Sequence, residues 1–231
     1  MQKNNSGIKA WPVLERPRER LMRFGAEALS DADLLALLLR NGMKGKDAVA
    51  LGRELVGKFG SLRGILAAGH GELRSIKGLG SAKIASLLAA SEMAKRQLGQ
   101  EMRGKSYARD PEAVVNYLTV SLRDLKREVF KVLFLDKGNR ILEEKDLFQG
   151  TVDEAAVHPR EVVRAALELH ATAVILVHNH PSGRIQPSPE DREITRRIQS
   201  ACQTVSVKVL DHIIVGDNQH FSFNEHGLMA G

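Results

Sequence analysis

Through roughly the first hundred residues the apolar positions fall at helical spacing, and beyond about residue 110 they change to alternation and short solid runs. Ser30-Asp31-Ala32-Asp33 reads as a helix start, with Ser30 as N-cap and an acid three residues on. The leucine-rich residues 34–39 continue that helix until Asn41-Gly42 stops it. Val49, Leu51, Leu55, Val56 and Phe59 place a second helix over residues 47–59, and Ser61 opens a short third that ends near Gly69. Residues 69–90 read as a helical pair. A short helix ends at Ile76, Lys77-Gly78-Leu79-Gly80 makes a tight turn, and Ser81 caps the next helix. Residues 13–98 are therefore expected to form a small all-helical domain, preceded by a flexible arm over residues 1–12.

The polar, charged residues 99–107 read as a linker to a second domain over residues 108–231. There, residues 112–121 predict a helix. Residues 128–136 and 140–148 predict two strands turned by Lys137-Gly138-Asn139. A helix over 160–170, a strand over 173–178, a helix over 189–204 and strands over 205–215 and 220–223 follow. Strands interleaved with helices give an α/β (α+β) domain.

Composition narrows the class. At 231 residues the chain has room for one large domain or two small ones. Aromatic residues make up only 4% of it, so the cores must be built from Leu, Ile, Val and Ala. No apolar run approaches the roughly 20 residues that span a bilayer, and the first residues lack the apolar stretch of a signal peptide. Cys202 is the only cysteine, which excludes an internal disulfide and a thiolate zinc cluster. The expectation is a cytoplasmic protein without a membrane partner. The net charge of +6 is uneven. Residues 1–107 carry 19 Lys/Arg against 10 Asp/Glu, and residues 108–231 carry 15 against 18. A basic front would suit nucleic acid; it is equally what a solvated charged surface looks like.

The chemistry concentrates in His178-Asn179-His180 and the residues up to Asp191. Side chains two apart on a strand share a face, so both imidazoles can address one ion. Pro181-Ser182-Gly183 then forces a turn, and Ser188-Pro189-Glu190-Asp191 starts a helix. Two histidines and one carboxylate leave a fourth position open for water, the arrangement of a catalytic zinc site. Imidazoles favour zinc over magnesium. Ser188 and Asp191 also make a capping box in their own right, and the two roles are compatible. His212, with Asp211, falls on a predicted buried strand, where a satisfied structural pair is the reading favoured over support of the ligands.

His178-x-His180, seven residues, Ser188, two residues, Asp191 matches the full JAMM (MPN-plus) metallopeptidase signature without a gap. The runs EVFKVLFLDKGNRIL, HPREVVRAAL, AVILVHNHPSG, QPSPEDREIT and LDHIIVG resemble the RadC family of JAMM-domain proteins, and the resemblance extends into the helical front. It implies a JAMM metallohydrolase fold, one zinc ion per chain held by His178, His180 and Asp191, and hydrolysis of peptide or isopeptide bonds in a peptide or protein substrate. It also implies an upstream glutamate as general base at the head of a strand. Glu128 fits that place better than Glu143, Glu144, Glu154 or Glu161. In such a mechanism Ser188 would donate a hydrogen bond to the developing oxyanion.

The hairpin over residues 69–90 resembles a helix-hairpin-helix element. Its amides, with Lys77, Gly78, Gly80 and Lys83, would offer a non-specific phosphate contact to DNA. The same glycine turn serves equally for packing. Three functions thus stand side by side: a zinc metallopeptidase, a DNA-associated protein of repair type, and a catalytically silent JAMM scaffold. The intact ligand set favours the first.

Overall fold

The structure is a computed structural model that describes residues 7–150 and 157–229. The chain divides into two compact units, Met1–Ala94 and Lys95–Gly231. Glu154 lies outside the described residues, as do residues 1–6 of the expected arm.

The first unit is helical, as the periodicity predicts. α1 (Pro17–Phe24), α2 (Asp31–Leu39), α3 (Ala48–Phe59), α4 (Leu62–Ala67), α5 (His70–Arg74) and the start of α6 (Ser81–Met102) form it. Leu35, Leu39, Leu51, Leu55, Ile65, Leu73, Ile84 and Leu87 make its core, an aliphatic one as the composition requires. Ser30 and Asp33 form the predicted capping box at α2. At α6 the cap differs from expectation: Gly80 accepts the first helical hydrogen bonds through its carbonyl, from Lys83 and Ile84, so Ser81 lies inside the helix. Residues 7–12 are not a free arm. Ile8 and Trp11 pack against the Ala32, Ala36, Ala48 and Val49 cluster, and Arg16 donates to the Trp11 and Lys9 carbonyls.

The expected linker over residues 99–107 is also corrected. Residues 99–102 continue α6, because Leu98 and Met102 join the apolar core of the second unit. The following residues are tied by backbone bonds: Gly104 and Tyr107 donate to the Ile141 and Asn139 carbonyls, and Ile141 donates to Lys105. Residues 103–107 thus form a strap, exposed at 103–104 and half-buried at 105–107, rather than a free linker.

The second unit is a mixed five-stranded sheet between helices. After α7 (Pro111–Leu122), β1 (Glu128–Leu135) and β2 (Ile141–Gly150) form the predicted hairpin. α8 (Pro159–Glu168), β3 (Ala173–Asn179), α9 (Pro189–Gln203), β4 (Lys208–Val215) and β5 (His220–Ser222) complete it, in the order β2-β1-β3-β4-β5. β1 and β3 are antiparallel; β3 and β4 are parallel, as the helical crossover between them demands. Alternation sorts the central strands onto two faces. Val129, Leu133, Ile175, Val177 and Ile213 pack with Val114 and Leu118 of α7. Phe130, Val132, Val174 and Leu176 pack with Val162 and Ala165 of α8 and Ile198 and Cys202 of α9. His178 follows Leu176 on that second face and is fully buried. Among the described residues no helix is long and apolar enough to cross a membrane.

Candidate metal centre

The alternation of β3 puts His178 beside α9 at the strand's end, and His180 comes to the same side just beyond it. α9 begins there with Asp191 in its first turn. The three side chains meet. His178 Nε2 lies 2.9 Å from His180 Nε2 and 3.1 Å from Asp191 Oδ1, and His180 Nε2 lies 3.5 Å from Asp191 Oδ2. One potential ligand atom from each falls within 4.8 Å of the others. His178 and Asp191 are buried, and His180 is partly exposed, so the cluster opens to solvent on one side.

Each member is oriented by a neighbour. The His180 Nδ1 is 2.9 Å from the Arg184 carbonyl, which can only accept; the ring proton therefore sits on Nδ1 and Nε2 faces the cluster. The loop that carries Arg184 is seated against the end of β4. There a Cβ on Gly216 would come within 2.4 Å of the Gly183 carbonyl, so only glycine lets the loop approach. Asp191 Oδ2 accepts from the backbone N–H of Ser188 at 2.8 Å and from its hydroxyl at 2.7 Å. The Ser188 oxygen accepts in turn from the Asp191 N–H. The predicted capping box is thus present, and it leaves Oδ1 facing His178. It also occupies Ser188: its one hydroxyl proton lies on Asp191, so it would reach a substrate oxyanion only by giving up that bond.

The electrostatics follow. Burial alone would raise the Asp191 pKa, but hydrogen bonds from His178 and His180 more than offset it and hold the carboxyl well below the usual carboxylate range. His180 is raised, mainly by its hydrogen bond to Asp191, with Glu128 adding to the attraction. Burial holds His212, fully enclosed, well below the ordinary imidazole value.

Glu128 is the first residue of β1 and is partly exposed. Phe130 pairs with His178 across the sheet. Continuing that antiparallel register puts Glu128 opposite His180, on the face of the cluster. The other glutamates are engaged elsewhere or lie apart. Glu144 pairs with Lys131 and Tyr117, and Glu161 with Arg164 on α8; Glu143 is on β2, one strand further from β3. The start of β1 is fixed from an unexpected quarter. The side-chain oxygen of Asn179, between the two histidines, accepts from the Val129 N–H at 2.9 Å, and its amide donates to the Arg127 carbonyl at 3.1 Å. These bonds bracket Glu128. Nothing in the local pattern signals this role, because Asn179 and Val129 are 50 residues apart.

Of the four hairpin residues read as a DNA contact, Lys83 and Gly78 have neighbours within the first unit. Lys83 Nζ donates to the Gly42 and Gly78 carbonyls, both at 2.8 Å, and burial lowers its pKa. It ties the hairpin to a neighbouring loop. Gly78 has φ +93° and lies against Met43, whose sulfur would stand 2.7 Å from an added Cβ. Lys77 and Gly80 remain on the surface.

Comparison with known proteins places the chain. A model of the RadC-like JAB domain matches residues 108–228, and one of the UPF0758 N-terminal region matches residues 8–85. A UPF0758 protein of Pseudomonas fluorescens strain Pf0-1 is 50% identical over 222 residues, covering 96% of this chain and 99% of the relative. A UPF0758 protein of Acidithiobacillus ferrooxidans (strain ATCC 53993 / BNL-5-31) is 50% identical over 220 residues, with 95% and 98% covered. One from Shewanella woodyi is 47% identical over 221 residues, with 96% and 98% covered.

Proposed function

The chain belongs to the RadC family with its JAB-type domain, and from that premise we propose that it is a zinc-dependent hydrolase of peptide or isopeptide bonds. The observation that carries this reading is the convergence of His178, His180 and Asp191 within 4.8 Å at the end of a buried strand, with His180 and Asp191 each oriented by a further hydrogen bond. Two imidazoles and a carboxylate fit zinc by donor type, and three protein ligands leave a position for water and substrate. A zinc ion held there supplies a water of lowered pKa and a Lewis acid for the scissile carbonyl.

The protein's own residues do the rest. Glu128, across from His180, takes the proton of the attacking water and returns it to the leaving nitrogen. Asn179 fixes the backbone on either side of Glu128 by bracketing the start of β1. Ser188 holds Asp191, so its main contribution is to the geometry of the ligand. In the DNA-associated alternative Lys83 would have one ammonium proton left to offer, since two are given to carbonyls of its own unit.

The test is metal analysis of the purified full chain, followed by an unbiased peptide-cleavage screen run with and without a chelator. About one zinc per chain and chelator-sensitive cleavage are expected. A chain that binds no zinc at micromolar metal overturns the reading.

A further inference from the structure

Thr195 has one proton to give, and its position decides the state of the ligand His178. The Thr195 Oγ1 lies 2.5 Å from the Asp191 carbonyl oxygen, which can only accept. The hydroxyl proton therefore goes to Asp191. The 2.6 Å contact between Thr195 Oγ1 and His212 Nδ1 must then be an Nδ1–H donating to the hydroxyl oxygen. A neutral imidazole carries a single N–H, so His212 Nε2 bears a lone pair. The atom facing it at 2.8 Å is His178 Nδ1, which is left as the donor. With its proton on Nδ1, His178 presents a lone pair at Nε2, toward His180 and Asp191.

We propose that His212 and Thr195 are positioning residues of the metal centre: their side chains form a one-way chain of hydrogen bonds that starts on one ligand, His178, ends on the backbone of another, Asp191, and locks His178 in the tautomer whose Nε2 faces the ion. The proposal rests on the metal reading above and deepens it. His180 reaches the same tautomer separately, through Arg184. With both rings neutral, two imidazole lone pairs and a carboxylate converge, and a proton or a metal cation is what relieves their mutual repulsion.

The chain also sets His212 apart from its neighbour Asp211. The Asp211 carboxylate accepts from Tyr107, Ser222 and the backbone N–H groups of His212 and Asn224, a closed structural hub. His212 and Thr195 are buried, and every one of their polar side-chain atoms is used in the chain. Such outer partners usually set metal affinity over 10- to 100-fold. His212 is not a fourth ligand, because its Nε2 is taken by His178; the open position of the ion is preserved.

The experiment uses the full chain and four variants: Thr195→Val, Thr195→Ser, His212→Leu and His212→Gln. Zinc affinity is measured by competition with a chromophoric chelator, and cobalt(II) loading by its visible spectrum. Melting of the metal-free forms reports folding. Thr195→Val keeps the shape but gives His212 nothing to donate to; it should weaken zinc about 10- to 100-fold and alter the cobalt spectrum. Thr195→Ser should stay near the wild type. Glutamine can accept from His178 and donate to Thr195, so His212→Gln should bind more tightly than His212→Leu. In the zinc-loaded wild type, long-range nitrogen–proton correlation spectra should show His212 protonated on Nδ1.

Wild-type affinity and cobalt spectrum in a folded Thr195→Val overturn the proposal while the metal reading stands. So does His212 protonated on Nε2, a readout that needs no variant to fold. Failure of the wild type itself to bind zinc or cobalt overturns the metal reading, and the proposal with it.

Discussion

The two units each contain the same four-residue device, and they use it for different ends. In the helical unit Ser30 and Asp33 cap α2; in the sheet unit Ser188 and Asp191 cap α9. The local geometry is nearly the same. The serine hydroxyl lies 2.8 Å from Oδ2 in the first and 2.7 Å in the second, and both aspartates are buried. What differs is the charge brought to the carboxylate. Asp33 meets the Arg20 guanidinium at 3.2 Å, a partner that neutralises it for good. Asp191 meets two imidazoles whose nitrogens can exchange a proton for a metal ion. A capping box thus supplies a well-held carboxylate at no cost to the helix, and the residues it faces decide whether it remains structural.

Several measurements would break or sharpen that contrast. The largest effect is on metal. Asp191→Ala and His178→Ala should each lower zinc from about one per chain to near nothing, since two remaining protein ligands bind poorly. Asp33→Ala should keep full zinc and only lose stability, chiefly through Arg20, left part-buried without its partner. Equal zinc in Asp191→Ala and Asp33→Ala would erase the distinction.

Next in size is catalysis. Glu128→Gln should retain zinc and lose cleavage by about 10²- to 10⁴-fold, because an amide cannot take the water's proton. Retained cleavage in that variant would move the general base elsewhere.

A smaller effect concerns pH. In the metal-free protein the His180 pKa is raised, so its contribution to stability is present below the unfolded imidazole value and is lost as pH rises through the raised one. Asp191 is depressed, so its contribution is present above the unfolded carboxyl value and is lost progressively as pH falls below it toward the depressed one. Melting curves of the metal-free chain should therefore show a loss just above the ordinary imidazole range that Asp191→Asn abolishes. Zinc should remove that step, because it replaces the proton.

The smallest effect separates the two caps themselves. Ser30→Ala and Ser188→Ala should each cost about 1 kcal/mol of stability. Only Ser188→Ala should also weaken zinc, which competition with a chelator would show. Identical zinc affinity in both would mean that the cap does not orient the ligand.

Much of the site was legible because its parts are local. The His178-x-His180 spacing follows from strand alternation, and the Ser188–Asp191 box from helix capping; both act within four residues, where the chain's own geometry dictates the outcome. The hairpin turn at residues 137–139 was readable for the same reason: Asp136 accepts from the Gly138 and Arg140 N–H groups, and Asn139 takes a positive φ. Lys83 shows where this kind of reading stops. Its ammonium donates to the carbonyl of Gly42, 41 residues away, a tie that nothing in the local turn signals.

The sequence by itself therefore determined the two-part organisation, the helical and strand elements and the identity of the three candidate ligands. Tertiary structure alone decided what surrounds them. The antiparallel register of β1 on β3 leads Glu128 toward His180, the parallel register of β4 brings His212 beside His178, and Asn179 reaches back to bracket Glu128. The physical reason is that helix caps and strand faces are set by backbone geometry over a few residues. Hydrogen bonds between strands distant in sequence form only after the apolar faces have fixed the register, and a single-residue slip would turn every one of these side chains away.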